Sequence, residues 1–164
     1  MSKSKKQAII SGAIGILIVL SMVIFQKSRL TYDEERALEC VQDLHDMMRD
    51  ENSFKLEDDI LLINYVDKTI DLKEELYCFS YISYSGNNGL SGKTKGLAIY
   101  NRNEYLGDYT DEKKDIVGIE DEEEKEREFT LLQAKSALSK YNSGKLKDKD
   151  SSIVKKNRIE NRVK

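Results

Sequence analysis

Proline is absent from all 164 residues, so no fixed φ angle interrupts any helical pattern in this chain. Cysteine and histidine are nearly absent too: Cys40, Cys78 and His45 are the only three. Two thiols and one imidazole cannot complete a four-ligand zinc site, and His45 has no serine or cysteine placed to act with it as a nucleophile and base pair. His45 is read as a solvated helix position. Cys40 and Cys78 leave two readings open. In an oxidising exterior they would form a disulfide that closes a loop of about forty residues and adds a few kcal/mol; otherwise they are two small buried apolar side chains.

The net charge of −3 conceals strong segregation. Residues 1–7 hold three lysines and no acid, whereas residues 30–110 hold 17 acids against 8 bases, a net of −9. Residues 111–128 add 10 acids and 4 bases, a net of −6, and residues 144–164 reverse the sign with 8 bases against 3 acids, a net of +5. An acidic middle of this kind is unsuited to nucleic acid phosphates. The basic end reads as an interaction tail.

The longest uncharged stretch, residues 8–25, reads AIISGAIGILIVLSMVIF. Its eighteen residues would span about 27 Å as a helix, close to a bilayer's hydrocarbon core of roughly 30 Å, and Gln7 and Gln26 extend it. A soluble core helix is seldom apolar on every face. The run is also long for a signal-peptide core, and no small-x-small cleavage site follows it. The expectation is therefore an uncleaved signal anchor over residues 8–26 that contacts the lipid bilayer, after a basic stub of residues 1–7. Lys3, Lys5 and Lys6 outweigh the more dispersed Lys27, Arg29 and Arg36, which places the N-terminus in the cytoplasm and the remainder outside the cell membrane.

Beyond the anchor, Thr31 and Glu34 form a capping-box pattern, and Ala37, Cys40, Val41, Leu44, Met47 and Met48 recur at helical spacing, predicting an amphipathic helix over residues 32–50. Period-two alternation of aromatic and β-branched residues then marks strands over residues 54–66, 76–85, 97–100 and 105–109, with a tight hairpin at Asn101, Arg102 and Asn103. The fold class expected is α+β: a transmembrane helix, an amphipathic helix packed on a roughly four-stranded antiparallel sheet, a C-terminal helix and a disordered basic tail. The domain spans residues 31–110, followed by an acidic linker over 111–122, the C-terminal helix over 123–142 with Leu131, Ala134, Leu138 and Tyr141 on one side, and the tail over 143–164.

Several motifs suggest chemistry weakly. Gly92, Lys93 and Thr94 imitate the end of a phosphate-binding loop, but Asn87 stands where the first glycine is needed and a strand pattern follows instead of a helix. A hairpin loop is expected there. Asp58 and Asp59 are two carboxylates among many, and the run Asp121 to Glu124 lacks the spaced ligands and glycine of a calcium loop. No catalytic residue, cofactor or metal is assigned. The tyrosines are more informative, because rigid apolar rings with polar tips on a sheet face suit a contact surface. Tyr77, Tyr81, Tyr84, Tyr100 and Tyr105 are the candidate partner surface, against the plainer reading of ordinary sheet facing.

In outline, a hydrophobic N-terminal helix leading into antiparallel strands resembles the type IV pilin and pseudopilin families, and one helix with four strands resembles the cystatin-like layout. The pilin resemblance implies a processing motif with a glutamate at the head of the apolar helix; here the head reads Lys5, Lys6, Gln7, Ala8, Ile9, Ile10, so no functional residue transfers. The expected function is a non-enzymatic interaction or assembly module, anchored in the membrane, with a protein or envelope polymer as partner. The alternatives are a cytoplasm-facing protein whose basic tail binds nucleic acid or anionic lipid, and an envelope enzyme.

Overall fold

The computed structural model describes residues 29–48, 50–67, 75–87, 93–110 and 119–163. The chain divides into two units at Thr31 and Tyr32, and the fold described here is that of the second, Tyr32–Lys164. The expected anchor over residues 8–26 lies outside the described residues. Among the described residues, no helix is long and apolar enough to cross a membrane.

The elements run α1 (Tyr32–Asp46), β1 (Asp50–Leu56), β2 (Ile60–Asp67), β3 (Glu75–Asn87), β4 (Lys93–Asn101), β5 (Glu104–Asp108), α2 (Glu122–Asn142), β6 (Ser151–Val154) and the single-turn α3 (Lys156–Ile159). All strands pair antiparallel in one sheet of order β5-β4-β3-β2-β6, with β1 also on β3. The domain is α+β, as expected. The sheet holds six strands rather than four, and the difference has two sources.

The first source is the run read as one strand over residues 54–66. β1 and β2 lie end to end along one edge of β3: β2 pairs Leu61 with Tyr81 and Asp67 with Glu75, and β1 pairs Leu56 with Tyr84. Three successive acids, Glu57, Asp58 and Asp59, separate them. The ladder is held across this break by Glu57 N–H, which donates to Ser83 O at 2.9 Å.

The second source is the tail, and it corrects the expectation of disorder over residues 143–164. β6 pairs with the outer edge of β2, Ile60 with Val154 and Ile63 with Ser151, and Val154 and Ile159 are buried against α1. The tail lacks a periodic apolar face because two apolar anchors suffice when charges do the rest. Lys155 Nζ binds Asp59 Oδ2 at 2.8 Å, Lys156 N–H donates to Asp59 Oδ1 at 2.9 Å, and Ser152 Oγ donates to Asp33 Oδ2 at 2.6 Å. Arg158 grips Glu34 with two hydrogen bonds of 2.7 and 3.2 Å, the forked geometry that suits a guanidinium and a carboxylate.

Strict alternation along the strands sorts the core into two layers. On one face Leu56, Ile60, Leu62, Ile82, Tyr84, Ala98 and Tyr100 meet Ala37, Cys40, Val41 and Leu44 of α1. On the other, Ile63, Tyr65, Tyr77, Phe79, Tyr81, Ile99 and Leu106 meet Leu131, Ala134, Ala137 and Leu138 of α2. The C-terminal helix therefore docks, and the sheet is covered on both faces. Asp121 caps its start, accepting from Glu124 N–H at 3.0 Å, and three glutamates follow in the first turn, where the helix dipole favours negative charge. α1 ends at Asp46 rather than near residue 50, since β1 begins at Asp50; Met47 is consequently exposed and Met48 only half-buried.

If the tail is part of the core, its buried and exposed isoleucines should respond differently to truncation. Ile159→Ala is expected to destabilise the domain by about 2–4 kcal/mol in urea unfolding, and Ile153→Ala, on the solvent side of β6, by no more than about 0.5 kcal/mol. Equal and negligible effects would mean that the tail is not packed.

Candidate binding cleft

The tyrosines expected to form a partner surface are instead turned into the domain, and two of them, Tyr81 and Tyr100, tie the sheet to its helices. Tyr77, Tyr81, Tyr84 and Tyr100 are buried and Tyr105 is half-buried. Tyr100 O–H donates to Asp43 Oδ2 of α1 at 2.9 Å, and Tyr81 O–H donates to Ala134 O of α2 at 2.8 Å. Tyr84 lies across Gly96, where an added Cβ would come within 2.6 Å of its ring, and donates to Asp108 Oδ2 at 2.9 Å. Tyr77 donates to Glu75 Oε2 at 2.7 Å, and the Tyr105 ring packs 5.4 Å from that of Tyr100. The reason is geometric: with a helix on each face, neither side of the central strands is left open to a partner.

Other singled-out residues also take structural positions. Asp59 anchors the tail, and its carboxyl is held below the usual carboxylate range, first by the hydrogen bond from Lys155 and then by that from the Lys156 backbone. Asp121 is the α2 cap, and among the described residues no group of three metal-binding side chains comes together. Lys93 and Thr94 belong to strand β4, with Lys93 paired to Asn87, so the phosphate-loop resemblance ends in a strand and not before a helix; Gly92 lies outside the described residues. His45 is not a solvated position: its side chain is 13% exposed, set edge-on to Phe54 at 5.5 Å and bonded to Asp46 at 3.2 Å. It borders a hollow of about 240 Å³ with Glu51, Phe54, Lys55 and Glu160.

Cys40 and Cys78 are both free thiols. They share the face of the sheet covered by α1, and both attach to the β4–β5 turn. Arg102 N–H donates to Cys78 O at 2.7 Å, while Cys40 Sγ–H donates to Arg102 O at 3.2 Å. Burial pushes the Cys40 thiol up from its ordinary 9.0 to about 11, against a hydrogen bond with Ser80 and the Arg36 charge, which both pull it down. It is a protonated donor at neutral pH. Arg102 itself stands at φ 54, a left-handed conformation that the neighbouring bonds hold in place.

Those attachments frame a hollow of about 510 Å³ lined by Tyr32, Glu35, Arg36, Glu39, Cys78, Arg102 and Asn103. Helical spacing sets Arg36 four residues before Cys40 on the buried stripe of α1, so its guanidinium enters the protein at the end of the sheet. The residue is 7% exposed. Its Nη2 donates to Phe79 O at a long 3.5 Å, its buried Nε has no hydrogen-bond partner, and no carboxylate ion-pairs with it among the described residues. Asn103 Nδ2 donates to Glu39 Oε2 at 2.5 Å and fixes the opposite rim. The result is a guanidinium held in the wall, a second one on the turn facing solvent, and two glutamates at the margin. The sequence reading missed Arg36 and Arg102; the available signal was a charged residue inside an otherwise apolar helical stripe.

The thiols report on this arrangement. At pH 8, iodoacetamide should modify Cys78 well before Cys40, which should react only on unfolding. Because the folded-state value of Cys40 lies above its unfolded value, its contribution to stability is complete below pH 9.0 and lost as pH rises toward about 11. Urea midpoints measured across that window should fall, and Cys40→Ala should flatten the fall. Simultaneous modification of both thiols in the folded protein would contradict the buried placement of Cys40. No protein-family model, no curated protein and no solved structure matches this chain.

Proposed function

We propose that this chain is a single-pass membrane-anchored protein whose folded domain acts outside the cytoplasm as an interaction or assembly module, binding a protein or envelope polymer without turning over a substrate. The anchor is the uncharged run of residues 8–26, and its flanking lysines favour a cytoplasmic N-terminus.

The observation that carries the binding role is the cleft at Arg36. It is open and polar, and among the described residues its buried guanidinium has no carboxylate at ion-pair distance, Glu35 and Glu39 standing at the margin. Acid–base or nucleophilic catalysis needs converging groups, and here the Cys78 thiol borders one hollow while the sole histidine borders another. The reading in which a basic tail binds nucleic acid or anionic lipid is weakened because Lys155, Lys156 and Arg158 are occupied by Asp59, Glu160 and Glu34.

Two measurements test the proposal. Protease added to intact cells or spheroplasts is expected to remove the domain, and a photo-crosslinker at Glu35, on the rim of the cleft, is expected to trap a discrete partner. Protection of the domain until the membrane is broken would overturn the orientation; a crosslinker that traps nothing there would overturn the binding role.

A further inference from the structure

We propose that the hollow between α1, β3 and the β4–β5 turn is a carboxylate receptor, in which Arg36 and Arg102 hold a carboxylate carried by a peptide partner. The assignment rests on the interaction-module reading and names the chemistry of its partner.

A guanidinium offers five N–H donors, and burying it away from water is costly unless those donors and its charge are matched. Arg36 is more than nine-tenths buried, yet among the described residues its side chain donates one hydrogen bond, of 3.5 Å, to a neutral carbonyl, with Nε unpartnered. Folding alone would not favour this choice, because apolar side chains of similar volume commonly replace buried charges with no loss of stability. The charge makes physical sense when an anion arrives in the hollow that Arg36 lines.

Arg102 is the second half of the grip. Its backbone is clamped from both sides, by Cys78 O and by the Cys40 thiol, and its left-handed φ of 54 sets its side chain out from a rigid turn. The class of anion follows from the rim. Glu35 and Glu39 border the same hollow, and two carboxylates there oppose a doubly charged phosphate more than a singly charged group. The guanidinium fork matches carboxylate and phosphate oxygens alike, so the rim charge makes the choice between them. At about 510 Å³ the hollow exceeds what one carboxylate fills, so it has room for the residue bearing it, and the exposed ring of Tyr32 supplies a flat apolar surface beside it. A chain's C-terminus and an acidic side chain both carry this chemistry.

The test uses the full-length chain in detergent micelles. The probes are acetyl-Ala-Ala-Tyr with a free C-terminal carboxylate, the same peptide as its amide, acetyl-Ala-Glu-Ala-amide, and inorganic phosphate. The readouts are the arginine Nε–H resonances in nitrogen-15 spectra and the rate at which iodoacetamide alkylates Cys78. A carboxylate-bearing peptide is expected to move two arginine side-chain resonances, absent respectively from Arg36→Met and Arg102→Asn, and to slow alkylation in proportion to the occupied fraction, while the amide does neither. Which of the two acids acts identifies a chain end or an acidic side chain as the source. Arg36→Met should keep or raise the melting temperature and abolish the response; Arg102→Asn, which tolerates the left-handed turn, should weaken binding by about tenfold. Should Arg36→Met fail to fold, the Arg102→Asn comparison decides alone. Equal responses to acid and amide, a response that survives both substitutions, or a preference for phosphate would each overturn the assignment. A partner still crosslinked at Glu35 in cells carrying Arg36→Met would discard the carboxylate receptor while leaving the interaction module standing.

Discussion

Everything in this domain depends on β3 being hydrogen-bonded along both edges and buried on both faces. Its thirteen residues pair with β4 on one side and, on the other, first with β2 and then with β1. Because its side chains alternate, Tyr77, Phe79 and Tyr81 go to α2 while Ile82 and Tyr84 go to α1. Two helices are then needed, since an apolar sheet face left open would be an association surface. The cleft is a by-product of the same strand: at its Cys78 and Phe79 end, the Cys78 carbonyl accepts from Arg102 N–H of the β4–β5 turn, and the next carbonyl, of Phe79, accepts from the guanidinium of α1.

The strong local periodicities of this chain translated directly into structure. α1 begins at Tyr32, β3 and β4 enclose their predicted runs, β5 matches its own to within one residue at each end, the turn at Arg102 and Asn103 is present, and α2 matches its predicted span to within one residue. Alternation shows which residues share a strand face, but it does not show whether that face is covered. The tyrosines illustrate the gap: each hydroxyl looked like a tip for water or a partner, whereas Tyr81 and Tyr100 are satisfied by acceptors on helices 53 and 57 residues away in sequence. A buried ring with one long-range acceptor cannot be told from an exposed one by its neighbours alone.

The tail was illegible for a related reason. Two apolar anchors and four strand residues are too few to raise a periodic signal, and its remaining contacts are polar and distant. Arg158 meets Glu34 across 124 positions and Ser152 meets Asp33 across 119. Both acids lie in the first turn of α1, so the end of the domain is fastened to its beginning through the helix that roofs the first core layer. The charge segregation read as a binding tail is, over residues 152–158, the two halves of an intramolecular contact.

That contact also bears on how the Arg36 cleft would recognise an acid. With a net of −9 over residues 30–110, the domain's long-range field repels an acidic partner, and at physiological salt that field is screened beyond about 8 Å. The bases that might have offset it at α1 are committed to Glu34 and Asp59. Attraction is therefore confined to contact distance, where Arg36 is shielded from salt by its burial and Arg102 is not. Added salt would weaken the repulsion on approach more than the grip of the buried guanidinium, so selectivity would rest on fitting a carboxylate into the hollow and little on accumulating charge around it.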